Sequence, residues 1–142
     1  MTEEKDRLLS ERYPEIFKDH RRGARETPAS FGFDCSDGWF DIIDTLCKNI
    51  QHHLTYHRAR NHMTNEEFEE RIQVRAVQVK EKFGGLRFYV SGGDDYVKGL
   101  ISMAEGFSFK TCEDCGHPGT QRTGGWIRTL CDKCHDDSKK PA

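Results

Sequence analysis

The chain has 142 residues, a formal net charge of −2, 35% hydrophobic residues and 32% charged residues. This length suits one compact domain, or a domain with a small appendage. The small negative charge excludes a chain-wide attraction to nucleic acid, so any such binding must depend on a local basic patch. Since the hydrophobic content predicts a thin core, a structural metal would add useful stability.

The sequence predicts neither a targeting segment nor a membrane span. Residues 1–17 are charged and lack the apolar centre of a signal peptide, and no apolar run approaches the roughly 20 residues that cross a bilayer. We therefore expect a cytoplasmic protein. In that reducing compartment, paired cysteines act as metal ligands more often than as disulfides.

The first 38 residues predict a helix followed by a long loop. Residues 2–13 have an amphipathic pattern with Leu8 and Leu9 toward the core, and Pro14 can open a further helical turn. Residues 18–38 have no hydrophobic period and contain several glycine and proline residues. Loops longer than about 12–15 residues tend to be functional or disordered.

The strongest helical pattern covers approximately residues 38–60. Its apolar residues recur at steps of three and four and form one face, which contains Phe40, Ile43, Cys47, Ile50 and Leu54. Ser36 or Asp37 is predicted to cap this helix. A further helix should begin at Thr64 or Asn65, because acidic residues occupy its first turn.

The hydrophobic period changes to two in residues 74–91, which predicts a β-hairpin with Gly84-Gly85 as its turn. The predicted inward face consists of Val77, Val79, Phe83, Leu86, Phe88 and Val90. The predicted outer face is polar and basic and consists of Gln78, Lys80, Lys82, Arg87 and Tyr89. Helical spacing resumes at residues 94–107, with Asp94 as the expected cap.

Two Cys-x-x-Cys pairs predict a zinc ribbon at residues 110–135. The expected ligands are Cys112, Cys115, Cys131 and Cys134. The 15 residues between the pairs are typical of zinc sites, in which two tight turns present four thiolates to one tetrahedral ion. Four thiolates leave no open coordination position, which favours one structural Zn²⁺ over a catalytic one.

Other potential ligands and nucleophiles leave alternatives open. His117 or His135 could replace one cysteine at the zinc. His53 and His57 lie four residues apart on a predicted helix, a spacing that can chelate a second metal, although a solvated helix face explains it more simply. Cys35 leaves open a role as a nucleophile paired with a histidine.

Four carboxylates surround the start of the long helix: Asp34, Asp37, Asp41 and Asp44. The last three could share one helix face and bind a divalent metal in a hydrolase. Caps and acids that complement the helix dipole explain the same residues, and we favour that interpretation.

Basic residues interleaved with aromatic residues provide candidate contacts to nucleic acid or to a protein partner. The candidates are Arg21, Arg22, Arg25, Lys80, Lys82, Arg87, Tyr89, Arg122, Trp126 and Arg128. A solvated surface explains them equally well, because acidic residues match them in number. For Trp39 and Trp126, packing is the favoured interpretation over a role as interface anchors.

Three stretches carry a resemblance to a known group: DGWFDIIDTLC, VKEKFGGLRFYVSGGDDYVKGLISMAE and TCEDCGHPGTQRTGGWIRTLCDKC. The chain resembles, over most of its length from Phe33 onward, a group of small proteins found in bacteria and their phages. The resemblance implies a bacterial or phage origin, the host cytoplasm and a C-terminal zinc ribbon. It implies no particular activity, so no catalytic residue is transferred.

Together, these features predict an α+β fold in which helices pack on a β-hairpin and a small zinc ribbon follows. The expected division is an α+β domain at residues 1–108 and a ribbon module at residues 109–142. Phage accessory proteins of this size often bind host machinery, which favours a non-enzymatic protein that modulates a host nucleic-acid machine, for example an anti-CRISPR-like inhibitor of an anti-phage defence complex. Direct DNA or RNA binding is the alternative, and a hydrolase built on Asp37, Asp41 and Asp44 is a further one.

Overall fold

A three-stranded sheet with helices packed around it forms the larger part of the computed structural model, which describes residues 1–20 and 32–141. The strands, in spatial order, are β1 (Phe33–Asp34), β2 (Arg75–Lys82) and β3 (Gly85–Ser91). β1 is parallel to β2, and β2 is antiparallel to β3. This arrangement confirms the predicted α+β fold with helices on a β-hairpin.

The helices are α1 (Glu3–Arg12), α2 (Phe40–Arg60), α3 (Asn65–Arg71), α4 (Asp95–Ser108) and α5 (Asp132–Ser138). Local capping explains several starts: Thr64 and Glu67 form a capping box on α3, and the Asp94 carboxylate accepts the Val97 N–H at the start of α4. Among the described helices, none is both long enough and apolar enough to cross a membrane. The helix α5 was not predicted.

The core lies between α2, α4 and the inward face of the hairpin. The predicted stripe of α2 is confirmed for Ile43, Cys47, Ile50 and Leu54, which are buried together with Leu46, whereas Phe40 is only partly buried. Ile16 and Phe17, in the turns after α1, are buried in the same core. α4 also protects the free edge of β3: the Ser108 hydroxyl and the Glu105 carboxylate accept backbone N–H groups of that strand.

The start of α2 differs from the prediction. A short 3₁₀ helix at Asp37–Trp39 precedes it, with Ser36 at the cap position but without a side-chain cap. The Ser36 hydroxyl donates to Glu113, and the Asp37 carboxylate accepts the Thr2 N–H. Both side chains therefore join distant parts of the chain instead of capping α2.

The inward face of the hairpin also needs correction. A β-bulge at Val77 shifts the alternation of inward-facing and outward-facing side chains by one residue. Ala76 and Val79 are therefore buried, while Val77 is exposed. The turn consists of Phe83-Gly84, both with positive φ as in a type I′ turn. Phe83 therefore lies at the exposed tip and not in the core, and Gly85 belongs to β3.

The prediction of a continuous loop at residues 18–38 is wrong in its C-terminal part, because the chain forms β1 and the start of the 3₁₀ helix there. A two-residue strand is too short to produce a visible period, and it is defined by pairing with Val79 and Lys80. Residues 21–31 lie outside the described part of the chain.

Candidate metal centre

The ribbon consists of β4 (Thr120–Arg122), β5 (Arg128–Leu130) and two cysteine turns. In the first turn, the Cys112 N–H donates to the His117 carbonyl and the Gly116 N–H returns to the Cys112 carbonyl. Gly116 has a φ of +81°, a conformation that favours glycine. In the second turn, Cys131 caps α5, and its sulfur accepts the backbone N–H of Cys134.

These two turns bring four sulfur atoms together, from Cys112, Cys115, Cys131 and Cys134. The four atoms lie within 4.8 Å of one another, and the sulfurs of Cys115 and Cys131 are 3.7 Å apart. Metal–sulfur bonds of about 2.3 Å give a tetrahedron with edges of about 3.8 Å. The arrangement can therefore hold a metal ion with only small adjustments.

The electrostatics of the cluster also favour a cation. The backbone N–H of Cys134 hydrogen bonds to the Cys131 sulfur and lowers the pKa of this thiol to about 7. Burial and the neighbouring thiols raise the pKa of Cys134. Neighbouring thiolates repel one another, and a positive ion would compensate their charges.

The histidine alternative does not fit this cluster. His117 Nδ1 lies 3.3 Å from the Cys115 sulfur, but neither it nor His135 belongs to the group within 4.8 Å of one another. Within residues 1–20 and 32–141, one other group of potential ligands has its ligand atoms within 4.8 Å of one another. It consists of His53, His57 and Asp94. The helical spacing of the two histidines is visible in the sequence, whereas Asp94 is not recognisable as their partner because it lies 37 positions after His57.

The first cysteine turn is fastened to the start of α2. The Gly38 N–H donates to the Glu113 carbonyl at 2.6 Å, and the buried Trp39 donates its indole N–H to the Thr111 carbonyl at 3.0 Å. The Glu113 carboxylate is nearly buried and accepts both the N–H and the hydroxyl of Ser36. Burial raises the pKa of Glu113 against the opposing influence of Arg128 and Ser36.

The second attachment lies at the hairpin turn. The buried Thr129 hydroxyl donates to the Gly84 carbonyl at 2.6 Å, and the Gln121 amide donates to the Phe83 carbonyl at 2.9 Å. Two separate regions of the α+β part therefore hold the ribbon. The division into an α+β domain ending at residue 108 and a separate ribbon module stays a prediction.

The candidate contacts on the hairpin lie on the face opposite the buried Val79 and Phe88. Lys80 is paired with Arg87 across the strands, and Tyr89 is exposed. The Arg87 guanidinium also lies over the Phe109 ring, 5.9 Å from its centre. This face presents basic and aromatic groups together.

The two arginines of the ribbon are engaged with acids. Arg122 pairs with Asp132 at 2.7 Å, and Arg128 pairs with Asp114 at 2.6 Å. Arg128 also lies 3.6 Å from the buried carboxylate of Glu113. These ion pairs, which the sequence does not reveal, reduce the positive charge that the ribbon presents.

The two tryptophans have opposite environments. Trp39 is fully buried, which confirms the packing interpretation, whereas Trp126 is 80% exposed and the same interpretation is wrong. Trp126 lies in the turn between β4 and β5, after Gly124 and Gly125. The basic candidates Arg21, Arg22 and Arg25 lie outside the described residues.

The aspartates at the start of α2 do not assemble a site. Asp37 accepts the Thr2 N–H, and Asp44 accepts the Tyr13 hydroxyl and pairs with Arg12. Neither they nor Asp41 belong to a group of potential metal ligands within the described residues. The hydrolase hypothesis therefore has no supporting geometry at these positions.

Cys35 should be chemically inert in the folded protein. The side chain is buried, and this burial raises the pKa of its thiol to about 12. At pH 8 the thiolate is therefore scarce, and we expect iodoacetamide to label Cys35 only after denaturation, as measured by peptide mass spectrometry. Rapid labelling of Cys35 in the native protein would contradict this expectation and support the hypothesis that Cys35 is a nucleophile.

Comparison of the chain with protein-family models, with curated proteins and with solved structures finds no significant match. Function must therefore be argued from the chemistry of the sites themselves.

Proposed function

We propose that this protein is a non-enzymatic binding protein, in which one Zn²⁺ held by four cysteines stabilises a ribbon that contacts a partner protein. Zinc is favoured because it prefers tetrahedral thiolate sites and has no redox chemistry. With four sulfur ligands in place, no coordination position remains for substrate or water. The metal then acts on the shape of the ribbon and not on a reaction.

The exposure of Trp126 is the observation that carries this proposal. A tryptophan that is 80% exposed leaves a large apolar ring in water, and tryptophan is enriched among residues that dominate protein interfaces. Beside it lies an open groove of about 430 Å³, whose lining includes Trp126, Arg128, Glu113 and Glu81. An anchor ring beside a charged groove suits a protein partner that has both apolar and polar groups.

A host nucleic-acid machine in the bacterial cytoplasm is the partner class that we propose. The support is the resemblance to small bacterial and phage proteins from Phe33 onward. Inhibition of an anti-phage defence complex is the specific form of this proposal. The net charge of −2 favours contact with a protein component over direct contact with nucleic acid.

Direct nucleic-acid binding is the second candidate, and the outer hairpin face favours it. Lys80 and Arg87 could contact phosphates while Tyr89 stacks on a base. The ion pairs of Arg122 and Arg128 weigh against the ribbon as a phosphate-binding surface. We therefore rank this candidate second.

An affinity pull-down from bacterial lysate, with and without nuclease, tests the proposal. Wild-type protein should retain a stoichiometric, nuclease-resistant partner identified by mass spectrometry. Replacing Trp126 with alanine should weaken binding of that partner by at least about 30-fold, since interface hot spots contribute about 2 kcal/mol or more. The affinity is then measured with the purified partner.

Tyr56→Ala is the matched control, because Tyr56 is an exposed aromatic residue on α2, distant in sequence from the ribbon. It should bind like the wild type. Equal affinity of the Trp126→Ala variant would overturn the assignment of this surface. A partner that disappears with nuclease would favour the second candidate, for which Lys80→Ala and Arg87→Ala should each reduce the salt dependence of binding.

A further inference from the structure

A second cluster of potential ligands lies where the C-terminal half of α2 meets the start of α4. His53 and His57 are one turn apart on α2, and their rings are 4.6 Å apart. His53 Nε2 lies 2.8 Å from Asp94 Oδ2, and His57 Nε2 lies 3.8 Å from the same oxygen. One ligand atom from each of the three side chains lies within 4.8 Å of the other two.

The surrounding contacts hold these side chains in place. Asp94 divides its two oxygens: Oδ1 accepts the Val97 N–H at 3.0 Å and caps α4, while Oδ2 faces the histidines. The His53 ring stacks on Tyr96, with ring centres 4.2 Å apart. His53 is 16% exposed, whereas His57 and Asp94 are 38% and 49% exposed, so the cluster lies at the surface where α2 and α4 pack together.

His57 also has a partner on its second ring nitrogen. The Asn61 side-chain amide lies 3.4 Å from His57 Nδ1. When Nε2 of a histidine binds a metal, Nδ1 carries the proton and usually donates it to a neighbouring oxygen. The Asn61 atom at this distance is the amide nitrogen, which also donates to the His57 carbonyl at 2.9 Å, so the Asn61 side chain must move before a metal-bound His57 can donate from Nδ1.

We propose that His53, His57 and Asp94 bind a divalent transition-metal ion at a site separate from the cysteine ribbon. Ligand atoms bonded at about 2.0–2.2 Å to one ion are about 3.0–3.6 Å apart. The observed separations of 2.8 Å and 3.8 Å bracket this range, so binding requires only small side-chain movements. Two imidazoles and one carboxylate suit Zn²⁺, Ni²⁺ or Fe²⁺ better than Mg²⁺ or Ca²⁺.

This second site is open, in contrast to the ribbon. Three protein ligands leave at least one coordination position for an exchangeable ligand. A cavity of about 240 Å³ adjoins His57 and Asp94, and Arg71 lines the same cavity. The open position therefore suits water or a small oxyanion, whose negative charge the Arg71 guanidinium would complement.

Titration of the zinc-loaded, 142-residue protein with Zn²⁺ tests this site. Isothermal calorimetry should detect a second equivalent in the wild type. His57→Ala removes a ligand, and Asp94→Asn removes the anionic ligand while retaining a good helix cap. Each substitution should weaken binding of the second equivalent at least about 100-fold, because even outer-shell changes cost 10–100-fold.

His52→Ala is the matched control, since His52 is an exposed histidine on the same helix and does not belong to the cluster. It should bind the second equivalent with unchanged affinity. Thermal unfolding of Asp94→Asn verifies that the variant is folded. The proposal is overturned if the wild type binds only the ribbon ion at a large excess of Zn²⁺, or if folded Asp94→Asn and His57→Ala both bind as the wild type does.

Cobalt provides a second measurement that separates the two sites. Co²⁺ bound to thiolates has strong charge-transfer absorption, whereas Co²⁺ bound to imidazole and carboxylate lacks it. Addition of Co²⁺ to the zinc-loaded protein should produce weak visible absorption without the thiolate bands, and His57→Ala should remove it. Thiolate bands alone would mean that Co²⁺ only exchanges into the ribbon, which contradicts a second site.

Discussion

Replacing Cys112 with alanine should abolish metal binding by the ribbon and unfold it. The Cys112 side chain is fully buried, and alanine would remove one of the four sulfur atoms of the cluster. Structural zinc contributes about 10–16 kcal/mol in small zinc domains, whereas whole domains are stable by only about 5–15 kcal/mol. We expect a loss of several kcal/mol, about one metal equivalent fewer by elemental analysis, and lower solubility.

Cys131→Ala should give the same result, because Cys131 belongs to the four-cysteine cluster and also caps α5. Cys47→Ala is the matched control: it removes a buried sulfur from α2 that is not part of the cluster. This control should lower the free energy of unfolding by about 1 kcal/mol and leave the metal content unchanged. Normal folding and full metal content in Cys112→Ala would refute the structural role of the metal.

Features encoded by neighbouring residues could be predicted from the sequence. The apolar stripe of α2 follows from a helical period over about four turns, and Thr64 and Asp94 cap helices through bonds to residues three positions later. The four cysteines could be selected because each pair is itself a local turn. In all these cases the deciding contacts lie close together in the chain.

Features decided by distant contacts could not be predicted. The strand β1 is defined by pairing with Val79, and the bulge at Val77 reflects its pairing with β3. A glycine precedes both Trp39 and Trp126, yet one is fully buried and the other is 80% exposed. Trp39 joins the main core and donates to the Thr111 carbonyl, whereas Trp126 lies in the turn between β4 and β5.

The same limit applies to the candidate sites. The four-residue spacing of His53 and His57 is visible in the sequence, which indicates only a helix-capping role for Asp94. Its second oxygen faces the histidines because α2 and α4 pack together. Arg122 and Arg128 appeared available until their acidic partners were known. Local spacing therefore identifies potential ligands, whereas packing decides which groups they meet.

Gly38→Ala should separate the ribbon from the start of α2. A Cβ atom at Gly38 would lie 2.6 Å from the Glu113 carbonyl carbon and closer still to the carbonyl oxygens of Cys112 and Glu113. These obstacles are backbone atoms of the first cysteine turn, so the hydrogen bond from the Gly38 N–H to Glu113 must break. We expect a loss of about 2–4 kcal/mol, which corresponds to a fall in Tm of roughly 6–12 °C.

Gly99→Ala is the matched control, since no atom lies within 4 Å of a Cβ at this helical position in α4. Alanine stabilises helix interiors relative to glycine by about 0.5–1 kcal/mol, so this variant should unfold at an equal or higher temperature. Metal content should stay at the wild-type value in both variants, because neither glycine is a ligand. A Gly38→Ala variant with unchanged Tm and unchanged protease resistance of the ribbon would mean that the ribbon folds without this contact. The expected result, a lower Tm with unchanged metal content, would show that docking of the ribbon stabilises the α+β part independently of metal binding.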